Sequence, residues 1–265
     1  VLVSTAPSAD AGSDVTLCKG ESTILTASGG ASYLWDQGLG SGATHTVSPM
    51  TTTTYTVTVT NDEGCVDTAE VTVEVETVSI GSTVFLDSDE NSMQNGTEPG
   101  ISGVLVEVYS AGPNGTFEMG MGDDVLEGSS TTDANGDYYI GDLCEGKYQV
   151  VLPASNFNGA LSSYPSSSLG NGGDDQVDSD DNGIQTAAGM KVNSMMIMLT
   201  PGQEPMMEAG QGGGQDVANG EDDKNGDMTI DFGFVPCSLT PGISPDVTIC
   251  EGDNTTLTAS GGDGY

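Results

Sequence analysis

Arginine is absent from this 265-residue chain, lysines number 4 and histidine 1, against 40 aspartates and glutamates. The resulting formal charge of −36 at pH 7 excludes nucleic acid and anionic membranes as electrostatic partners, because like charges repel, and it invites cations. The single imidazole, His45, lies in a Thr-rich stretch that reads as a strand. A Cys/His pair therefore has little support, and we expect no enzyme here, any catalysis residing outside these residues. No apolar run approaches the ~20 residues of a membrane span. Val1 does not open a leader with a basic flank and an apolar stretch, so the sequence reads as a piece of something longer. Aromatics are scarce at 5%.

What is present points to folded β-structure. Only 17% of residues are charged and 35% are hydrophobic, arranged in Val/Thr/Tyr alternations and punctuated by 39 glycines and 11 prolines. That is a turn-rich, all-β composition with its acid concentrated in loops.

The chain also contains the beginning of its own repeat. Residues 12–33, GSDVTLCKGESTILTASGGASY, and residues 244–265, SPDVTICEGDNTTLTASGGDGY, agree at 13 of 22 positions with a constant offset of 232, which pairs Cys18 with Cys250 and Tyr33 with Tyr265. We therefore expect a two-domain unit, residues 1–77 and 78–237, followed by the start of the next unit at 238–265. Five cysteines in such a chain point to an oxidising setting, and the odd one is explained if the partner of Cys250 lies beyond Tyr265.

In the first domain, strands are expected at Val15–Cys18, 22–27, Ser32–Trp35, 45–47, 55–59 and 66–75, with Tyr55, Val57, Val59 and then Val71, Val73, Val75 each lining one face. The loop Asn61-Asp62-Glu63 reads as a solvated hairpin turn. The stretches DVTLCKGESTILTASGG, SYLWDQG, SPMTTTTYTVTVTNDEGC and VDTAEVTVEV resemble the Ig-like or PKD-like modules of Bacteroidetes surface proteins. The order Cys18, Trp35, Cys65 is similar to the immunoglobulin arrangement of an inter-sheet disulfide packed on a Trp, although Tyr55 lies ten residues, not two, before the second Cys. That likeness implies a Cys18–Cys65 bridge and a spacer role.

The second domain carries the most specific signal. Residues 87–98, DSDENSMQNGTE, place Asp87, Asp89, Asn91, Met93, Asn95 and Glu98 at loop positions 1, 3, 5, 7, 9 and 12. This spacing brings side-chain oxygens and the Met93 carbonyl to one centre, closed by a Glu able to bind through both oxygens, as Ca2+ requires. Ser92 stands where the EF-hand has Gly, and the flanks read as strands instead of helices, so calcium geometry on a β-fold is expected. GSTVFLDSDENSMQNGTEPGISGVLVEVY, STTDANGDYYIGDLCEGKYQVVL, GGDDQVDSDDNG, MIMLTPGQEP and GDMTIDFGF together resemble the SdrD B-like module, related to the collagen-adhesin B domain. The resemblance implies a prealbumin-like sandwich acting as a rigid, calcium-stiffened stalk segment, and carries the acidic first loop onto Asp87, Asp89, Asn91, Asn95 and Glu98.

Asp174, Asp175, Asp178, Asp180, Asp181 and Asn182 form a second acidic cluster that mutual repulsion makes a further calcium candidate. Asp222, Asp223, Asn225 and Asp227 form a weaker third, whereas Asp133, Asn135 and Asp137 read first as a hairpin turn. A last strand is expected at Thr229–Phe234. A Cys144–Cys237 bridge would pin the exit of the domain, the alternative being that these cysteines link neighbouring domains. The lysines Lys19, Lys147, Lys191 and Lys224 miss the first strand of this domain, where B-type relatives place the lysine of an isopeptide bond, so none is expected. Met195, Met196 and Met198, with Met206 and Met207, read as core packing. Asn95, Asn114 and Asn254 form short N-glycosylation patterns, and Asp67-Thr68-Ala69 an O-glycosylation one.

Together these features point to two antiparallel β-sandwiches in tandem, forming the structural repeat of an extracellular fibre or cell-surface stalk. Its partners would be neighbouring repeats, with strand donation between subunits as a variant. A ligand-binding adhesin gripping a surface protein or glycan is the second reading, for which Trp35, committed to a core, offers no platform.

Overall fold

The computed structural model describes residues 4–117, 123–168, 179–205 and 223–236, with two short paired strands at Gly242–Ile243 and Ala259–Ser260. The architecture is all-β, with two sandwiches following one another along the chain.

The first sandwich is built from β1 (Val15–Cys18), β2 (Thr23–Thr26), β3 (Ser32–Trp35), β4 (Gly40–Ser41), β5 (Thr44–Val47), β6 (Thr53–Thr60) and β7 (Val66–Glu76). One sheet has the order β1-β7-β6-β3-β4 and faces the β2-β5 pair. Alternation decides which side chains enter: Tyr55, Val57 and Val59 of β6 and Val71 and Val73 of β7 are buried, while the intervening Thr and Glu face outward. Each such side chain contributes roughly 1.5–3 kcal/mol by leaving water. Trp35 completes this core, its indole N–H donating to the Gly42 carbonyl at 3.1 Å and its ring meeting His45 edge-on at 6.4 Å.

β1 runs parallel to β7, unlike the antiparallel pairing expected of every strand, because the long chain between them lets it return in either direction. Its register places Cys18 opposite Glu76, at the far end of β7 from Cys65, which directly precedes Val66. Ten residues of extended strand, ~33 Å, thus separate the two cysteines along the sheet. A Cys18–Cys65 bridge is therefore ruled out; Cys18 is instead bonded to Cys144, and Cys65 is a free thiol.

One residue, Thr77, separates β7 from β8 (Val78–Leu86), the first strand of the second sandwich. There follow β9 (Leu105–Ser110), β10 (Val125–Thr131), β11 (Asp137–Leu143), β12 (Gly146–Leu152), β13 (Ser166–Ser167), β14 (Ile184–Gln185), β15 (Val192–Asn193), β16 (Ile197–Leu199), β17 (Gly226–Asp227) and β18 (Phe232–Val235). One sheet is β10-β9-β12-β15-β14 with β16 also on β12; the other is β11-β8-β18-β13 with β17 also on β8. Val78, Ile80, Val106, Val108, Tyr138, Val150, Leu152, Phe232 and Phe234 are among the residues filling the space between them.

The last strand, expected at Thr229–Phe234, begins only at Phe232, and Gly226–Asp227 forms a separate short strand before it. β17 pairs with Ser79 and Ile80, β18 pairs with Val84 to Leu86, and between them lies Ser82, whose φ is 151° and which stays paired with Tyr138 of β11 on the other side. Asp231 closes the gap: its Oδ1 accepts from the Ser82 hydroxyl at 2.6 Å and the Thr83 N–H at 3.1 Å, and its Oδ2 from the Ser179 N–H at 2.8 Å. The backbone donors that a regular ladder would satisfy are satisfied here by a buried carboxylate.

The methionines also depart from expectation. Ile197 and Leu199 take the core positions of β16, so Met198 points outward, and Met195 and Met196 are half-exposed as well. Met206 and Met207 lie outside the described residues.

Candidate metal centre and the inter-domain staple

The loop 87–98 is tied at its base. The Leu86 N–H donates to the Pro99 carbonyl at 2.9 Å, the Asp87 N–H donates to the Phe234 carbonyl at 2.8 Å, and Gly100 bridges Phe85. Glycine is required at position 100, where a Cβ would lie 1.5 Å from the Asn135 carbonyl oxygen.

From this base the chain wraps around its own carboxylates. Asp87 accepts the Asn91 N–H at 3.1 Å and the Ser92 N–H at 2.9 Å, one on each oxygen. Glu98 accepts the Ser88 and Asp89 N–H groups on Oε1 and the Asn95 N–H on Oε2. The Asn91 side-chain oxygen takes the Met93 N–H, and the Asn95 amide donates to Asp89 at 3.2 Å. Ser92 adopts φ 61°, the left-handed conformation that glycine would supply at this point of the loop.

The wrapping brings one oxygen each of Asp87, Asp89 and Glu98 within 4.8 Å of one another, with Asp87 and Glu98 buried and Asp89 exposed. Charges at that separation repel by roughly 3 kcal/mol per pair at an effective dielectric of about 20. The hydrogen bonds around them come from neutral backbone N–H donors, which leave the charge itself uncompensated. Gln94, in the same loop, has its Oε1 buried with no hydrogen-bond partner among the described residues. Hard oxygen donors and excess negative charge form a set that fits a divalent hard cation such as Ca2+.

The second cluster docks onto this loop. Met93 and Asp180 form an antiparallel bridge, flanked by bonds from Gln94 N–H to the Ser179 carbonyl at 2.7 Å and from Asp181 N–H to the Ser92 carbonyl at 3.1 Å. Asp180 is buried beside Asn182, whose amide reaches it at 3.3 Å. Asp181 directs its oxygens to the chain's own donors, the Gly183 N–H at 2.8 Å, the Gly233 N–H at 3.1 Å and the Ser167 hydroxyl at 3.3 Å. Burial pushes its carboxyl up to about 7, opposed by those same hydrogen bonds. Asp174, Asp175 and Asp178 lie outside the described residues.

The remaining acidic motifs serve local geometry. Asp133 accepts the N–H groups of Asn135 and Asp137 in the β10–β11 turn. Asp227 accepts from the Thr229 N–H and hydroxyl, and Asn225 from the Gly202 N–H. Asp222 lies outside the described residues, as do the side chain of Asp223, Cys237 and Cys250.

Cys144 sits in the β11–β12 turn and is joined to Cys18 with a Cα–Cα separation of 5.4 Å, so it pairs across the two sandwiches instead of with Cys237. The salt bridge from Lys19 Nζ to Asp142, at 2.6 Å, lies beside it. Sheet order explains the pairing: β1 ends, and the β11–β12 turn begins, on the side where β7 passes into β8.

Two elements of this arrangement escape sequence reading. Asp231 left a trace, a carboxylate inside the apolar run Met228 to Phe234. The Cys18–Cys144 pairing left none, since 126 residues separate its members.

Residues 78–210, half of the chain, match the SdrD B-like domain family, and the chain belongs to it. No curated protein matches. Among solved structures, the major pilin subunit of Bacillus cereus is similar at 20% identity over 39% of this chain and 27% of that one, with a TM-score of 0.24. The Bacillus anthracis TIE protein matches at 11% identity over 87% of this chain and 40% of its own, with a TM-score of 0.30. The minor pilin of Streptococcus agalactiae matches at 10% identity over 78% and 68%, with a TM-score of 0.26. The chain thus spans about a quarter of the length of the Bacillus cereus pilin.

Proposed function

We propose that this chain is a structural repeat of an extracellular, cell-surface stalk or fibre, in which an Ig-like module alternates with an SdrD B-like module and calcium and disulfides stiffen the whole. The observation that carries the reading is the junction. A single residue connects β7 to β8, and Cys18–Cys144 cross-links the two sandwiches beside it, so bending about Thr77 is opposed by a covalent bond. A connection with one pivot and one staple transmits force and orientation, which a spacer needs and a catalyst does not.

Calcium is the second part of the mechanism. Asp87, Asp89 and Glu98, with Asn91, Asn95 and the Met93 carbonyl from the same loop, would hold the ion, and Asp180 and Asp181 sit on the segment docked to that loop. A bound cation would offset the mutual repulsion of the carboxylates and fix the loop to the end of β18. The repeat at offset 232 supports partnership with further copies of the same unit along one chain.

Electron microscopy of the native surface material tests the reading. Two sandwiches end to end predict a beaded repeat of roughly 80–100 Å, from strands of ~20 Å plus loops and linkers, that softens or frays when calcium is chelated. Short stalks ending in a distinct head would favour an adhesin.

A further inference from the structure

We propose that Cys65 marks one half of a second inter-domain disulfide site, whose other half is a cysteine at the position occupied here by Thr5. The proposal rests on the tandem-repeat reading and adds to it a covalent link between the end of one unit and the Ig-like module of the next.

The first observation is spatial. Cys65 Sγ lies 4.0 Å from the Ser4 carbonyl oxygen, the Asn61 amide donates to the Thr5 carbonyl at 2.9 Å, and the Ala9 N–H donates to Asp67 at 3.0 Å. The segment entering the first sandwich therefore runs along the β6–β7 hairpin and passes the sulfur at residues 4 and 5. A disulfide needs its Cα atoms roughly 4.4–6.8 Å apart, and the contact of the Cys65 sulfur with the Ser4 carbonyl brings the backbone of residues 4 and 5 beside the thiol.

The second observation is a matter of register. The offset of 232 that superimposes Cys250 on Cys18 also superimposes Cys237 on Thr5. Cys237 lies outside the described residues, and its place is argued from this register alone. The segment entering the following module thus carries a cysteine where this one carries a threonine. In the continued chain Cys237 would meet the equivalent of Cys65, two thiols giving up two protons and two electrons to a small-molecule disulfide, which is reduced to its two thiols.

This accounts for every cysteine. Cys18–Cys144 staples the first sandwich to the second; by the repeat register Cys237 would staple the second to the next unit, and Cys250, the equivalent of Cys18, would take the equivalent of Cys144. Cys65 is a free thiol here, and the segment beside it carries Ser4 and Thr5.

The site can be tested in the present chain. In a Cys237→Ser/Cys250→Ser background, Thr5→Cys is equilibrated with reduced and oxidised glutathione, with Ser4→Cys as a second variant. The expected result is a fall in titratable thiols from two to none, with mass spectrometry of unreduced peptides linking the new cysteine to Cys65. Two thiols remaining in both variants overturns the geometry. In a longer chain carrying the complete next module, the unreduced peptide map should link Cys237 to the equivalent of Cys65. If the engineered pair closes while Cys237 stays free or bonds elsewhere, the repeat register fails and the proposal with it.

Discussion

Cys18 and Cys144 are bonded across 126 residues of sequence and join the edge strand of one sandwich to a turn of the other. Neither residue belongs to a core, and the bond acts on the angle between two units that each have their own packed interior.

Breaking that bond should loosen the pair without unfolding its members. Cys18→Ser, or mild reduction, is expected to leave the far-ultraviolet β signature intact while small-angle scattering reports a larger radius of gyration. Limited proteolysis should then cut near Thr77. The stability lost on denaturation should be about 2–4 kcal/mol, in keeping with the closure of a long loop. An unchanged radius would mean that β1, β7 and β8 hold the angle unaided.

Calcium should raise the melting temperature of the second sandwich. At a hundredfold excess over its dissociation constant the ion adds about 2.7 kcal/mol, which for a domain of this size is roughly 5–10 °C. Asp87→Ala removes the buried carboxylate on which Asn91 and Ser92 close, and the shift should vanish. Calorimetry with calcium and with chelator reads both results, and an Asp87→Ala protein that still gains the full shift would place the ion elsewhere.

Asp231→Ala should be the most damaging single change to the second sandwich. It orphans the Ser82 hydroxyl and the N–H groups of Thr83 and Ser179 where β8 changes partner. The expected loss is about 3 kcal/mol or more in chemical denaturation. Asp231→Asn, whose carbonyl still accepts, should lose less.

Asp181 should make the calcium-free protein less stable as pH rises. Burial holds its folded carboxyl near 7, against an ordinary value of 3.8, so between about 4 and 7 the folded state binds more protons than the unfolded one. Stability therefore falls as pH rises across that window. Asp181→Asn, which cannot ionise, should flatten the slope in melts from pH 4 to 7 measured in chelator. An identical slope in the variant would mean that another group titrates. Tyr138, held far above its usual range by burial and then by Asp231 and Asp227, stays a hydroxyl throughout and keeps its bond to the Ile230 carbonyl.

Local chemistry alone determined much of this protein. The period-two runs at Tyr55 to Val59 and Val71 to Val73 located two core faces, and Asp133 to Asp137 announced a turn, although it joins β10 of one sheet to β11 of the other and is not the hairpin expected. The spacing from Asp87 to Glu98 named the three carboxylates that converge, because a twelve-residue loop must close on its own ends. What only the tertiary structure decided depended on which strands became neighbours. The parallel register of β1 on β7 put Cys18 at the junction and left Cys65 at the opposite end of the sheet. The partner change along β8 gave Asp231 its role, and the packing of Ile197 and Leu199 into the core turned Met198, between them on β16, outward. Alternation and turn residues act within a few residues, so sequence carries them openly. Strand neighbours are chosen by burying faces far apart in the chain, and no short stretch encodes that choice.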